Sequence, residues 1–292
     1  MSYLLANHAW YELVGPFTLM ISMLLCYWYV KTMIHSPHYN PTTNQKIYFF
    51  TAISLFFLVK GTPFAVVADY YLVSALILQL SIIIFIAVPL FILSLPKQYV
   101  QVFFWRHKKA AIAKVLFAHP WPLALLFNAL ITIFTLPPAF NAITGSVLLQ
   151  FFYEVLLVMF ALLTWWMIIQ PSEEIADHSY FLRGAYVFIM VLFLMPVAIF
   201  LIVAQQPMYT PYMTVSGELI PALNALNDQQ LAGGFLKLMQ LTSYSIAIYY
   251  LLKLWGTKEE ENEGKVDGNT RVVQGVVIQL DKHNHRDKGK KR

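Results

Sequence analysis

Charge is scarce in this chain. Asp, Glu, Lys and Arg make up only 12% of its 292 residues, about half the roughly 25% found in soluble domains. Cysteine is nearly missing: the lone Cys26 excludes an internal disulfide framework and any CxxC metal site. The eight histidines are His8, His35, His38, His107, His119, His178, His283 and His285. None sits in the middle of a long apolar run, so the usual ligand of a haem or copper site inside a helical bundle is not available there. No Walker loop, nucleophile elbow or HExxH occurs, which removes the common signatures of phosphate, acyl and zinc-hydrolase chemistry. The first thirteen residues hold no Lys or Arg and so offer no charged n-region for a cleavable signal peptide. Helix 1 therefore reads as retained.

Apolar length fills the space that charge leaves. Hydrophobic residues are 59% of the chain, and seven runs reach the roughly 20 residues that a membrane-spanning helix needs. They lie at 14–34, 46–67, 70–94, 117–137, 146–170, 184–204 and 234–255. Backbone groups inside a bilayer must be paired internally, so such runs are helices. They lack the ten-residue alternation of a membrane barrel. The expectation is an all-α integral membrane protein with seven transmembrane helices in residues 1–256, followed by a charged cytoplasmic tail at 257–292.

The cationic residues set the orientation. With the N-terminus outside, every Lys and Arg except Lys60 and Lys237 falls on the cytoplasmic side. The positive-inside rule then places the N-terminus out and the C-terminus in. That topology accounts for the net charge of +5 and calls for no nucleic-acid partner. Residues 95–116 are basic and aromatic. They read either as an interfacial amphipathic helix or as a loop that fixes topology. The segment 205–233 is the longest outward one and has no Lys or Arg. Gly233 and Gly234 follow it and allow close backbone approach at the start of the seventh helix. Past residue 257 the chain turns to Lys, Glu, Asp, Asn and Gly, the composition of a largely disordered tail.

An ionisable group at membrane depth is a functional hypothesis, because its burial in hydrocarbon is costly. Lys60 and Glu154 lie in the outer halves of the second and fifth helices, and Lys237 at the outer start of the seventh. All three lie toward one side of the membrane. A Lys60–Glu154 ion pair would offset part of the desolvation cost of each. One reading is an outward polar cavity around them. The other is a structural ion pair, with Lys237 snorkelling. Met20, Met23 and Cys26 recur at i, i+3 and i+6 on one broad helix face. Soft sulfur donors suit Cu(I), although methionine also serves as packing.

A string of short motifs runs through the apolar part. It comprises Lys60-Gly61-Thr62-Pro63, Ser74-Ala75 with Gln79, Pro89-Leu90 with Leu93 to Pro96, and His119-Pro120-Trp121. Leu136-Pro137, Trp165-Trp166, Tyr209-Thr210-Pro211-Tyr212 and Asp228-Gln229-Gln230-Leu231-Ala232-Gly233-Gly234 complete it. In order and spacing this set resembles the CtaG family, the bacterial assembly factors of caa-type cytochrome c oxidases, over about residues 14–255. The resemblance implies a non-enzymatic plasma-membrane protein that helps a haem-copper oxidase mature, with copper delivered to the catalytic subunit of that oxidase. Family members carry membrane histidines near Leu76 and Leu80, at Thr135, and near Gln150 or Glu154. This chain has none of them.

The functional expectation is therefore an assembly factor that holds an oxidase subunit. Its outward cavity would be formed by Lys60, Gln79, Glu154, Asp228 and Gln229. A transporter for a small solute or metal ion is the alternative. It would use broken helices, for which Pro89, Pro137, Pro138 and Pro196 are candidates. A membrane enzyme would require an acid–base pair, which only Glu154 with Lys60 approaches.

Overall fold

In the computed structural model the backbone is described for residues 2–106, 120–171 and 178–262 and for three short strands beyond. The basic residues of 107–116 and His283 and His285 lie outside the described residues. Two compact units result, Met1–Ile248 and Tyr249–Arg292.

The described elements of the first unit are all helices. Its elements are α1 (Ser2–Asn7), α2 (Trp10–Val14), α3 (Pro16–Tyr29), α4 (Thr43–Lys60), α5 (Pro63–Val66), α6 (Val73–Ile82) and α7 (Val88–Leu93). Then follow α8 (Lys97–Arg106), α9 (Pro120–Thr135), α10 (Pro137–Thr144), α11 (Val147–Ile169), α12 (Tyr180–Phe193), α13 (Met195–Ile202) and α14 (Thr210–Met213). The last helix, α15 (Ala225–Asn262), runs for 38 residues. In the second unit, strands at Lys265–Asp267, Thr270–Val273 and Val276–Gln279 pair as an antiparallel sheet in chain order.

Among the described residues four helices are long and apolar enough to cross a membrane, at Trp10–Ile34, Val73–Leu93, Val147–Ile169 and Tyr180–Ile202. Two bent pairs bring the number to six: α4 with Pro63–Tyr71, bent by 50°, and α9 with α10, bent by 81°. The seventh run lies in α15, which is outside this set. Its polar residues lower its hydropathy, and they point to internal partners described below. Apolar side chains cover the outside of the bundle. Phe181 is 87% exposed and Val147 86%, a surface suited to lipid and unfavourable in water.

Local chemistry explains the helix boundaries. Thr42 and Gln45 form a reciprocal capping box at the start of α4, so two end groups that lack helical partners are satisfied at once. Ser146 and Ser179 cap α11 and α12. At the C-terminal end of α11 the buried Arg183 donates to Ile168 O at 2.8 and 2.6 Å and to Ile169 O at 3.0 Å, a cation on the negative end of a helix dipole. Two glycines are required by geometry. Gly15 turns the chain between α2 and α3 with φ +52°, and a Cβ there would lie 3.1 Å from Gly61 Cα. A Cβ on Gly233 would lie 2.7 Å from Leu201 Cβ, so α15 and α13 approach closely there. Gly234 faces open space, and only the first of the expected pair makes the close contact.

The described part of the basic, aromatic segment 95–116 is helical over Lys97–Arg106. Tyr99 anchors it edge-on against Trp28 and Tyr39, beside an aromatic core cluster that includes Tyr29, Met33, Phe49 and Ile53.

Candidate functional site

Every break in a membrane helix leaves carbonyls that have lost their donor, and here side chains from other helices supply it. The Lys60-Gly61-Thr62-Pro63 motif ends α4. Pro63 has no N–H, so the carbonyl four residues earlier, Val59, lacks its helical partner. The Gln79 amide from α6 donates to Val59 O at 2.6 Å. Thr62 Oγ1 serves Leu58 O at 2.6 Å, and Thr18 Oγ1 serves Lys60 O at 3.3 Å.

The same exchange recurs at three further breaks. A π-helical turn at Ile83–Ala87 precedes Pro89, whose missing N–H deprives the carbonyls four and five residues back. Trp165 Nε1 donates to Ile84 O at 2.7 Å, and Ser243 Oγ donates to Phe85 O. Ahead of Pro196, Gln240 donates to Met190 O at 3.0 Å and Lys237 Nζ to Val191 O at 3.4 Å. At the α9–α10 bend Tyr209 OH reaches Thr135 O at 2.7 Å. Most of the motif string thus consists of helix breakers and the donors that repair them.

Lys60 and Glu154 do something different. Lys60 Nζ lies 2.6 Å from Glu154 Oε1, with both side chains largely buried. Gln150, one turn before Glu154 on α11, donates its amide to Glu154 Oε1 at 3.3 Å and to Asp69 Oδ1 at 3.0 Å. The result is a row of four side chains: Lys60, Glu154, Gln150 and Asp69. Asp69 was not among the expected site residues, because it falls between two apolar runs and reads as an ordinary loop carboxylate. At its far end the row opens on a cavity of about 330 Å³, lined by His8, Asp69, Tyr70, Tyr71, Thr144, Pro211, Tyr212, Val215 and Glu218.

The segment expected to be a long outward loop packs into this end of the bundle. Tyr209 and Tyr212 are both buried, and Tyr212 OH donates to Ala68 O at 2.8 Å and Asp69 O at 3.3 Å. The N-terminal helices close the same end, with Leu4 and Leu13 packed on Val66 and Tyr71. His8 bridges Glu12 at 2.8 Å and the Tyr71 hydroxyl at 2.9 Å.

The remaining candidates fall elsewhere. Gln79 stands one residue from the ion pair, fully buried, with its amide on Val59 O. Asp228 accepts from Val73 N at 2.7 Å, from Ser74 N at 3.1 Å and from the Ser74 hydroxyl. It thereby caps the start of α6 from another helix. Burial raises its carboxyl above the usual range, and the hydrogen bonds from Ser74 and Val73 oppose that shift. Gln229 accepts from Met208 N at 2.9 Å. Met20 and Met23 face outward on α3, half or more exposed, and Cys26 packs against the aromatic cluster around Tyr29. These sulfur donors line an open helix face rather than a cradle. Among the described residues no three His, Cys, Asp or Glu side chains gather in a way that could hold a metal ion.

A family model for cytochrome c oxidase caa3 assembly factors, Caa3_CtaG, matches residues 23–258. The chain belongs to the Caa3_CtaG family. No curated protein and no solved structure matches it. The match begins within α3 and ends within α15, so every helix break and every donor in the repairs named above, except Thr18, lies inside the family region. His8 and Glu12 precede it.

Proposed function

We propose that this Caa3_CtaG member is a non-enzymatic factor in the assembly of a bacterial haem-copper cytochrome c oxidase. The observation that carries the proposal is the family match over most of the chain. In this reading seven helices span the plasma membrane with the N-terminus outside, α15 supplying the seventh. The low hydropathy of α15 follows from Lys237, Gln240 and Ser243, whose polar atoms serve the backbone of neighbouring spans.

The polar row Lys60–Glu154–Gln150–Asp69 and its cavity would face outward and contact an oxidase subunit. Support comes from the contrast with the other polar groups in the bundle. Gln79, Trp165, Gln240 and Ser243 donate to backbone carbonyls and Asp228 and Gln229 accept from backbone N–H groups, whereas the row runs from side chain to side chain and reaches a cavity. Copper would be cargo of the oxidase rather than a resident group, and no step of the proposal runs through it.

Deletion of the gene tests the reading. The expected result is loss of assembled, active cytochrome c oxidase from the membranes, restored by the wild-type gene. Full oxidase activity in the deletion strain would overturn it. Solute uptake by proteoliposomes containing the protein would instead favour a transporter.

A further inference from the structure

The cavity at the Asp69 end of the row has a distinctive lining. It contains two carboxylates, Asp69 and Glu218, three tyrosine rings and no Lys or Arg. Most of its other polar groups already have partners. Tyr71 OH meets His8 Nε2, whose Nδ1 meets Glu12. Tyr212 OH is on the carbonyls of Ala68 and Asp69, and Thr144 Oγ1 is on Phe140 O at 2.8 Å. Asp69 differs: Gln150 occupies Oδ1, and Oδ2 has no hydrogen-bond partner among the described residues. A carboxyl acceptor at the wall of an aromatic cavity favours a cationic donor. A bare metal ion is a poor fit, because no three His, Cys, Asp or Glu groups converge among the described residues. The volume, about 330 Å³, is at the small end of ligand pockets and admits a side-chain-sized group.

Charge on this end of the molecule points the same way. Residues 1–13 and 205–233 contain Glu12, Glu218 and Asp228 but no Lys or Arg. We propose that the cavity receives a basic side chain, an arginine or lysine, from an outward-facing segment of the client protein. Asp69 is its anion and Tyr70 and Tyr212 are its aromatic walls. This rests on the assembly reading for the identity of the client. The chemistry of the cavity stands without it.

The test uses the full chain in nanodiscs and two uncharged-backbone probes, N-acetyl-argininamide and its neutral isostere N-acetyl-citrullinamide, titrated by NMR or calorimetry. The guanidinium probe is expected to bind about tenfold or more tightly than citrulline, and Asp69→Asn should remove that preference. Glu218→Gln, on the cavity lining, should weaken the guanidinium probe by a smaller factor. It keeps the test decisive if Asp69→Asn does not fold. Equal binding of the two probes, no binding at millimolar concentration, or displacement of the guanidinium probe by Mg²⁺ or Ca²⁺ at lower concentration would each overturn the proposal. The assembly reading fails separately: if guanidinium binds selectively but the gene deletion leaves the oxidase intact, the cavity stands and its client is another protein.

Discussion

Polar side chains do two different jobs in this bundle, and the difference is clearest between the helix breaks and the end that holds the cavity. At the breaks, Gln79, Trp165, Gln240 and Ser243 each donate to a carbonyl left open by a proline or a helix break. At the cavity end, Lys60, Glu154, Gln150 and Asp69 bind one another, and Asp69 borders the cavity. The first group satisfies the backbone, as a helix in lipid requires. The second satisfies itself and has capacity left over. A buried polar residue in a membrane protein is therefore read first by asking which carbonyl it repairs. Only those that repair none are candidates for contact with a partner.

The largest effect that would sharpen this contrast is at the ion pair. Lys60→Met or Glu154→Leu alone leaves an unpaired buried charge and should destabilise by about 3 kcal/mol, while removing both should cost much less. A double-mutant cycle on thermal unfolding of the solubilised protein reads the difference. Equal, additive losses would mean that the two groups do not act as a pair. Next come the repairs. Trp165→Phe and Gln79→Leu each strand a buried carbonyl, and each should lower stability by about 1–3 kcal/mol. If either is neutral, the missing donor at that break is supplied by something else, and the division between repair and network weakens.

The cap on α6 is smaller. Asp228→Ala should cost about 1 kcal/mol, the usual value for loss of a helix N-cap, with Asp228→Asn retaining part of it. Smallest of all, Met20→Leu with Met23→Leu should change stability by less than about 0.5 kcal/mol, since both side chains lie on the exposed face of α3. A larger loss from that pair would give those methionines a role beyond surface packing.

How much of this was legible in the sequence depends on the range of the interaction. Apolar length marked the helices because the bilayer imposes a simple length rule. Lys60 and Glu154 stood out because charges inside apolar runs are few, and the pair is at contact distance. The prolines marked the breaks, since a missing N–H is a local property. Their repair was not legible: which of several polar residues serves Val59 or Ile84 depends on how distant helices pack. A usable signal existed all the same. Pro63 and Pro89 each imply an open carbonyl four residues earlier, and a polar residue in another run serves it. Asp69 was missed because it sits at a junction between runs, where a carboxylate is unremarkable until Gln150 is seen to join it to Glu154. The loop at 205–233 misled for a related reason. Its polar composition hid Tyr209 and Tyr212, which carry it into the bundle.

One measurement tests the central claim most directly. The deletion strain is complemented with the Lys60→Met/Glu154→Leu double variant, and the amount of assembled cytochrome c oxidase is compared with the wild-type complement at matched levels of the factor. The double replacement leaves no unpaired charge at positions 60 and 154, so the protein should accumulate normally. The account predicts that it accumulates but fails to restore the oxidase. Full restoration would mean that the row is structural only and that the assembly role lies elsewhere on the molecule.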